Sequence, residues 1–336
     1  MKFRSFVPTA MAVALLALSG CASGSETAAG DSGTAEVSFV KKDPLKIGYS
    51  VMDLQDPYFQ SYVAGIKAEA GKLGAQVIVA DQKSSQQEQV SGSASLISQG
   101  ISALIVSPVQ PSALPATINA AHSAQIPVVI GDVGAEGNYD AYILSDNQDG
   151  GKQAADYFRK AFEGKSGKHK IGIIETAPGV VVGAERAQGF KDALSGDPNI
   201  EIVASLTGQT VDTAYKAAQD MLSAHPDLEG IYAANSNNAQ GAARAVETAG
   251  KQDGFVLIGF NGDPIELEMV KAGKETATVA QDPYGQGQLA VKTAMELLEG
   301  KAPKYTDSEK RILRFPVQIV DSVNLEKYAA GLAARK

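Results

Sequence analysis

Short apolar runs alternate with amphipathic stretches of helical period along the chain from Leu45 onward. Five runs rich in valine and isoleucine come first and five more follow, in the order L-K-I-G-Y-S-V, Q-V-I-V-A, A-L-I-V, P-V-V-I, A-Y-I-L, K-I-G-I-I, I-E-I-V-A, G-I-Y-A, F-V-L-I-G and T-A-T-V-A. Strands that are apolar throughout and separated by amphipathic helices are typical of parallel sheets covered on both faces. Ten strands are many for one sheet, so the pattern predicts an α/β protein with two similar doubly wound parallel-sheet lobes.

The helical stretches predict where the elements between the strands begin. They start at Pro57, near Gln86 and near Ser112 in the first series, and cover about 184–195, 212–224, 238–249 and 264–272 in the second. The polar, glycine-containing stretch Ser145–Gly151 precedes a new helix and marks the predicted division between the lobes. Because ligands of open parallel sheets sit beyond the carboxyl ends of the strands, two facing lobes would share a cleft.

Two adjacent aromatic residues, Tyr58 and Phe59, stand at the start of the first predicted helix. Aromatic residues make up only 6% of the chain, which has no tryptophan. Neighbouring helix positions point about 100° apart, so one core face cannot easily bury both rings. Phe59 begins an apolar face that continues through Tyr62 and Val63, which leaves a core role open for it. Tyr58 lies off that face and could be an exposed turn residue or a ligand contact.

Composition and charge exclude some classes of function. The chain has 336 residues, enough for two domains of ordinary size, and it is 44% hydrophobic and 20% charged, which suits a sizeable core. Its net charge is −8, and its only basic cluster is the short run Lys165–Lys170. Nucleic-acid binding needs a basic face that neutralises phosphates, so we expect no nucleic-acid partner.

The N-terminal residues have the pattern of an export signal. Two cationic residues precede an apolar run, Phe6–Leu18, which is too short to span a bilayer and ends in L-S-G-C. This resembles the bacterial lipoprotein pattern, in which a signal peptide (residues 1–20) is removed and Cys21 is lipidated; an ordinary signal peptide is the alternative. Residues 21–44 are mostly small or polar and predict a flexible tether. We therefore expect an extracytoplasmic protein that a lipid anchors to the cell membrane.

Beyond the tether, the chain resembles the bacterial periplasmic sugar-binding proteins of the ribose- and galactose-binding type, the extracellular receptors of ABC transporters. The segments that carry the resemblance keep their order and spacing from Lys46 to about Val320: D-P-Y-F, I-P-V-V-I-G-D, A-E-R-A-Q-G-F, A-H-P-D, Y-A-A-N-S-N-N-A-Q-G-A-A-R-A, I-G-F-N-G and A-T-V-A-Q-D-P. The resemblance implies the type I periplasmic binding protein fold, in which a three-strand hinge joins the lobes. The implied lobes are residues 45–146 plus 282–310 and residues 147–281 plus 311–336, with crossings near Asp146-Asn147, near Gln281-Asp282 and around residues 308–314.

The resemblance also implies ligand contacts, position by position. Tyr58 and Phe59 fall on an aromatic pair that sandwiches the sugar. The positions that bond sugar hydroxyls correspond to Asp56, Asp132, Asn235, Asn261 and Gln281, and further candidates for the lining are Met52, Asp53 and Gln209. Alternatives stay open, since the aspartates and asparagines could be helix caps or turn residues, and Gln281 could serve only the crossing.

These residue types suit a sugar on chemical grounds. Aromatic faces match the C–H faces of a sugar ring, and carboxylates and amides can each bond more than one hydroxyl. Val133 and Ala184 stand where the ribose binders have arginines, and the third aromatic expected near Gln209 is missing. We therefore expect a neutral sugar or polyol whose contacts use aspartate and asparagine more than arginine, with ribose itself left open.

The function that follows is capture of this ligand and its delivery to a membrane permease, by a protein that we expect to act as a monomer. A sensory module that feeds a kinase or chemoreceptor is the alternative. The segment Gly285–Ala290 matches the dinucleotide-binding pattern G-x-G-x-x-A, but too little chain follows for the βαβ unit that binding requires. The three histidines are scattered, and neither a nucleophile elbow nor a metal-spaced cluster occurs. We therefore expect no enzymatic activity, no cofactor and no metal.

Overall fold

The computed structural model describes residues 38–335, which form two α/β lobes. The predicted signal peptide, Cys21 and most of the predicted tether lie outside the described residues. A short 3-10 turn, Pro111–Ala113, leads into the third helix. The elements of the first series are β1 (Lys46–Val51), α1 (Pro57–Lys72), β2 (Gln76–Asp81), α2 (Gln86–Ser98), β3 (Ala103–Val106), α3 (Leu114–Ser123), β4 (Val128–Gly131) and β5 (Ala141–Ser145).

The second series begins with a helix, as the polar stretch after β5 predicts. Its elements are α4 (Asn147–Phe162), β6 (His169–Glu175), α5 (Val181–Leu194), β7 (Ile200–Thr207), α6 (Val211–Ala224), β8 (Gly230–Ala233), α7 (Ser236–Thr248), β9 (Val256–Asn261), α8 (Pro264–Lys271) and β10 (Ala277–Ala280). The chain then continues through α9 (Pro283–Leu298), β11 (Ile312–Phe315), β12 (Gln318–Asp321) and α10 (Leu325–Ala333).

Each lobe has its own six-stranded sheet. The first sheet has the strand order β11-β5-β4-β3-β1-β2 and is parallel throughout. The second has the order β12-β10-β9-β8-β6-β7 and is parallel except for β12, which runs antiparallel to β10. The two orders match strand for strand, so the prediction of two similar parallel-sheet lobes is confirmed.

Three connections join the lobes, and the third lies later than predicted. The chain crosses between β5 and α4, between β10 and α9, and between β11 and β12. Residues 312–315, expected in the second lobe, pair with β5 in the first, so the third crossing follows Phe315 instead of lying at 308–314. The sequence pattern missed β11 and β12, which are separated by Pro316; proline cannot donate to a ladder, so this segment does not have the pattern of a strand.

The last part of the predicted tether contacts the first lobe. The backbone N–H of Val40 donates to the carbonyl of Gln125 at 3.0 Å, and that of Lys42 donates to Ser102 Oγ at 3.1 Å. The ring of Phe39 lies 5.8 Å from that of His122, centroid to centroid. The prediction of a free tether up to residue 44 is therefore wrong for this part, because Phe39 finds apolar and aromatic surface to pack against.

Apolar side chains fill both faces of each sheet. In the first lobe, α1 and α9 cover one face, with Ile66 and Val291 in its core, while α2 and α3 cover the other. In the second lobe, α4 and α5 cover one face, and α6 and α7 the other. Within residues 38–335, every helix is too short or too polar to pass through a bilayer.

Glycines allow two helix pairs to approach backbone to backbone. A β-carbon on Gly65 of α1 would overlap the carbonyl of Tyr284 at the start of α9, and one on Gly287 of α9 would overlap the carbonyl of Tyr62. Gly151 of α4 and Gly189 of α5 meet each other's helix backbones in the same way. Because α1, α4 and α9 each begin just after a sheet strand ends, these close contacts fix the helix N-termini at the carboxyl edges of the sheets.

Candidate functional site

The loops at the carboxyl ends of the strands bring side chains of both lobes together. Burial raises the pKa of Asp132, which directly follows β4, while the Tyr58 hydroxyl and the positive charge of Arg186 favour its ionised form. Tyr58 and Asp132 belong to the first lobe, and Arg186 lies on α5 in the second. The electrostatic influence of Arg186 on Asp132 therefore acts across the space between the lobes, as the predicted cleft requires.

Tyr58 is a half-buried residue on the first turn of α1. Its hydroxyl donates to Gln286 Oε1 on α9 at 3.1 Å, and its ring centre lies 6.4 Å from that of Tyr62. Burial, followed by the negative charge of Asp132, raises the pKa of Tyr58 well above its ordinary value. The hydroxyl therefore stays neutral and can donate a hydrogen bond.

Phe59 occupies the core position that the helical periodicity left open. Its side chain is 3% exposed and packs with Tyr62 and Val63 in the core of the first lobe. It meets the ring of Tyr58 edge to face, with the ring centres 5.2 Å apart. This burial leaves little of the Phe59 ring for a ligand, in contrast to the sandwich implied by the resemblance, because Phe59 lies on the inner face of α1.

Asp132 is held by its backbone at the end of β4. Its N–H donates to the carbonyl of Ile143 at 2.8 Å, and the Tyr142 hydroxyl donates to the Asp132 carbonyl at 2.9 Å. Its φ is 66°, a left-handed conformation in which aspartate is several-fold enriched among residues other than glycine. Both bonds are to residues of β5, so the sheet fixes the position of the Asp132 backbone from which the carboxylate side chain extends.

The loop between β1 and α1 holds the other candidates of the first lobe. Asp56 is exposed and caps α1, since its carboxylate accepts from the Tyr58 N–H at 2.8 Å. Asp53 accepts from the Gln55 N–H at 2.9 Å and from Ser84 Oγ at 2.8 Å, and these bonds lower its pKa. Met52 is half-buried and packs on the core. The cap role predicted as an alternative for Asp56 is therefore confirmed, and Asp53 stabilises the loop.

Arg186, to which the sequence pattern assigned no role, organises the second lobe's side of the cleft. The side chain is 5% exposed and its guanidinium lies 3.8 Å from the ring centre of Phe260. Nε donates to Asn147 Oδ1 at 2.9 Å, and Nη1 donates to the Ala234 carbonyl at 3.0 Å and to Asn261 Oδ1 at 3.2 Å. The segment A-E-R-A-Q-G-F contains this arginine. In the sequence this segment supported the family resemblance, but nothing in it indicated a role for Arg186.

A hydrogen-bonded chain continues from Arg186 across the hinge to Tyr58. Asn261 Oδ1 also accepts from Gln281 Nε2 at 2.9 Å, and Gln281 Oε1 accepts from Ser145 Oγ at 2.7 Å. Gln286 Nε2 donates to Ser145 Oγ at 2.9 Å, and Gln286 Oε1 receives the Tyr58 hydroxyl. We call these six residues the interlobe chain: Arg186, Asn261, Gln281, Ser145, Gln286 and Tyr58.

Asn235 and Gln209 lie on loops of the second lobe outside the interlobe chain. Asn235 is half-buried, and its Oδ1 accepts from the Asn238 N–H at 2.8 Å, which makes it the cap of α7. Gln209 is exposed, and its Oε1 accepts from the Ala177 N–H at 3.1 Å. Both follow the carboxyl ends of strands, so their place at the cleft edge agrees with the prediction, while ligand contact by either stays a prediction.

An ion pair also joins the lobes close to Ala184, one of the two positions at which the ribose binders have an arginine. Arg314 of β11 donates through Nη1 and Nη2 to the two carboxylate oxygens of Glu185 on α5, at 3.2 and 3.1 Å. Both side chains are 21% exposed. The hydrogen bond and the charge of Glu185 raise the pKa of Arg314. The guanidinium of a distant strand is thus bonded to Glu185, the residue that follows Ala184 in the chain.

Comparison with known proteins places the chain among solute receptors. The family model "Periplasmic binding protein domain" matches residues 47–302. The ribose import binding protein of Bacillus subtilis is 34% identical over 273 residues, which cover 80% of this chain and 86% of that protein. The ribose import binding protein of Escherichia coli is 32% identical over 294 residues, covering 86% of this chain and 93% of that protein.

Solved structures of the same architecture hold different small polyhydroxy ligands. A solute-binding protein from Actinobacillus succinogenes with bound D-allose is 28% identical, with a TM-score of 0.73 over 84% of this chain and 100% of its own. One from Bacillus halodurans with bound myo-inositol is 25% identical, with a TM-score of 0.70 over 85% of this chain and 97% of its own. The fold that the sequence predicts is confirmed by these neighbours.

Proposed function

Because the chain belongs to the periplasmic binding protein family and is similar to sugar receptors of ABC importers, we propose that it captures one neutral sugar or polyol between its lobes and delivers it to a membrane permease. A lipid on Cys21 would hold the receptor at the membrane. The ligand would be recognised by Tyr58, Asp132, Asn235, Asn261 and Gln281, with Asp56 and Gln209 at the rim.

The convergence of Asp132 and Tyr58 from the first lobe with Arg186 and Asn261 from the second carries this proposal. A sugar needs donors and acceptors around its edge, and this set offers a carboxylate, an amide, a guanidinium and a phenol. Bonds to charged groups are about twice as strong as those between neutral groups, so Asp132 and Arg186 would contribute most. The exposed part of the Tyr58 ring offers a surface for the C–H face of the ligand.

A ligand that touches both lobes would favour the closed arrangement. The lobes are joined by three short crossings, so a small change of backbone angles there can change the distance between them. A ligand shifts such an equilibrium only by binding one arrangement more tightly. Contacts to Asp132 and Asn261 at the same time provide that difference, and a permease could then distinguish loaded from empty receptor.

A thermal-shift screen against D-ribose, D-allose, myo-inositol, other pentoses and hexoses, and polyols tests the ligand class. A ligand at 100 times its dissociation constant stabilises the folded protein by about 2.7 kcal/mol, which raises the melting temperature measurably. Calorimetry then gives the affinity of each ligand that shifts the melting curve. If no sugar or polyol raises the melting temperature, the proposed ligand class is wrong.

Anchoring and delivery need separate measurements. In cells fed radiolabelled palmitate, the full-length chain should incorporate label, and Cys21→Ser should lose it and appear in the soluble extracytoplasmic fraction. Uptake of the identified sugar should fall when the gene is deleted and recover when the wild-type chain is restored. A strain that takes up the sugar normally without this chain, yet loses its response to the sugar, would favour the sensory role.

A further inference from the structure

Two buried glutamates meet in the second lobe behind the loop that presents Asn261. Glu266 on the first turn of α8 is 0% exposed, and Glu275 just before β10 is 2% exposed. A β-carbon on Gly259 of β9 would overlap Oε1 of both glutamates, so these two oxygens lie side by side over the glycine. Glycine is required at this strand position because the carboxyl pair fills the space of a side chain.

The pair has no cation beside it. Within residues 38–335, no lysine, arginine or histidine nitrogen forms an ion pair with either carboxyl. Glu266 Oε1 and both oxygens of Glu275 are buried and accept no hydrogen bond from a backbone N–H or from a hydroxyl, amide or cationic side chain of the described residues, and the neighbouring Thr278 Oγ1 is buried and unpartnered too. Two buried carboxylates without a cation cannot both stay ionised, so the pair keeps a proton that one carboxyl can donate to the other.

Glu266 also holds the turn from which Asn261 reaches into the cleft. Its Oε2 accepts from the Gly262 N–H at 2.8 Å. Asn261 and Gly262 have φ values of 140° and 69°, so two consecutive residues lie in the region that disfavours ordinary side chains. The Gly262–Glu266 bond stabilises this turn, and Asn261 Oδ1 can then accept from both Arg186 and Gln281.

Few other titratable groups act on the pair. The negative charge of Asp263, in the turn before α8, disfavours ionisation of both glutamates. Arg186 of α5, Tyr232 of β8 and Tyr328 of α10 each lie close enough for the charge of Glu266 to affect them. Arg186 is the only cation in this set, and its Nε and Nη1 are bonded to Asn147, Ala234 and Asn261.

We propose that Glu266 and Glu275 form a proton-sharing pair that positions Asn261 for the ligand, and that loss of the shared proton weakens binding. The inference rests on the proposed function, because its effect is read in ligand affinity. Once both carboxyls are charged, their repulsion separates them and pulls Glu266 from its place beside Gly259. The Gly262 turn then relaxes, and the Asn261 amide loses its fixed direction. Glu266 is a positioning residue, since Asn261 lies between it and the ligand.

Calorimetry with D-ribose, D-allose and myo-inositol at about pH 6.5 and about pH 9.5 tests the proposal. The wild-type affinity for whichever of these binds should fall at least about fivefold at the higher pH. Glu275→Gln cannot ionise, and its amide can donate to Glu266, so its affinity should stay constant within about twofold. Glu268→Gln changes an exposed carboxyl on the same helix and should follow the wild type. Glu275→Leu, which also cannot ionise, replaces the glutamine variant if that one does not give a cooperative melting curve.

Each result has one meaning. If the wild type binds none of the three ligands nor any sugar or polyol of the screen, the proposed function fails, and this inference fails with it. If the wild type binds equally well at both pH values, the proposed function stands and the proton-sharing role is wrong. If Glu275→Gln loses affinity at high pH as the wild type does, another group causes the loss, and the proposal is again overturned.

Discussion

Arg186 and Asp132 show how single residues can serve both fold and site. Arg186 bonds three oxygens of its own lobe and the hinge region, and it still acts electrostatically on Asp132 in the other lobe. Asp132 has its backbone fixed by β5, while its carboxylate has no fixed ion-pair partner within hydrogen-bonding distance among the described residues. A carboxylate supported in this way is ready to accept hydroxyl donors from a ligand.

Replacing Asp132 by alanine should weaken sugar binding by about 1–3 kcal/mol, because the ligand hydroxyls that it bonds would be left unpaired. The melting temperature without ligand should fall only slightly, because alanine tolerates the left-handed backbone of Asp132 less well than aspartate does, while no ion pair is lost. Calorimetry with the best ligand of the screen measures the loss. Asp253→Ala, an exposed aspartate in the α7–β9 loop, is the control and should bind as the wild type does. Unchanged affinity in Asp132→Ala would remove Asp132 from the site.

The glutamate pair predicts how stability without ligand depends on pH. Burial, with repulsion from Asp263, raises the pKa of Glu266 from its ordinary value of 4.5 to about 8, and burial with repulsion from Glu266 raises that of Glu275. A raised carboxyl pKa means that the folded state holds the proton more tightly than the unfolded chain. The contribution of the pair to stability is therefore complete below pH 4.5 and is lost as the pH rises through about 8. Urea unfolding at a series of pH values should show a smaller loss in Glu275→Gln; equal losses would contradict the shared proton.

The sequence predicts some site residues better than others. The positions of Asp132, Asn261 and Gln281 could be predicted because Asn261 ends a buried strand and the other two directly follow one, and the apolar runs of these strands are clear. Arg186 could not be recognised, because its value depends on three acceptors that come from separate segments of the chain. Phe59 shows the opposite error: the resemblance implied that it sandwiches the sugar together with Tyr58, whereas the helical period, which left a core role open, places it on the inner face of α1.

At the scale of elements, glycines decide how closely helices pack beneath the cleft. Gly65 of α1 and Gly287 of α9 each lie against the backbone of the other helix, near its N-terminal half. The N-terminal turns of these helices carry Tyr58 and Gln286, the first-lobe end of the interlobe chain. A change in the distance between the helices would therefore move two members of that chain relative to each other.

Gly65→Ala should destabilise the protein by about 1–3 kcal/mol, because a methyl group there forces α1 away from α9. Gly71→Ala in the same helix is the matched control. A β-carbon at Gly71 would meet nothing within 4 Å beyond its chain neighbours and its own helix backbone, so alanine should stabilise the helix by up to about 1 kcal/mol. Urea unfolding of both variants measures the difference. A Gly65→Ala protein as stable as Gly71→Ala would show that the helices can separate at no cost.

The element order was largely predictable because long apolar strands and amphipathic helices have distinct periods. Ten of the twelve strands among the described residues lie where the pattern predicts them. The start of α5 lies at Val181, earlier than the predicted 184, because no side chain caps it and valine gives no start signal. The strands Ile312–Phe315 and Gln318–Asp321 depend on pairing with distant strands, which a local pattern cannot reveal.

At the scale of the whole molecule, contacts between the lobes set how easily the cleft opens. The Arg314–Glu185 pair joins β11 of the first sheet to α5 of the second lobe, and the Gln281–Ser145 bond joins two crossings. Since each of these contacts spans the hinge, opening the lobes must stretch or break it. They favour the arrangement in which Asp132, Arg186 and Asn261 are close together.

Glu185→Gln should therefore weaken ligand binding modestly, by about 0.2–1 kcal/mol, because a partly exposed ion pair contributes little more than that. The loss should shrink in concentrated salt, which screens the pair in the wild type. Calorimetry at low and high salt measures both effects. Asp156→Asn, which breaks a pair within α4 that does not span the hinge, should bind like the wild type. If Glu185→Gln bound more tightly than the wild type, the pair would oppose closure.

The contact between residues 39–42 and the first lobe makes the two lobes mechanically unequal. Val40 is bonded to Gln125, which lies just before β4, and Lys42 to Ser102, which lies just before β3, so both contacts are at the end of the sheet opposite the cleft. Any restraint that reaches the protein through its N-terminal chain is therefore transmitted to the first lobe directly and to the second only through three crossings. The second lobe is then the one that moves when the cleft closes. A docking partner that distinguishes the closed from the open receptor would have to contact both lobes.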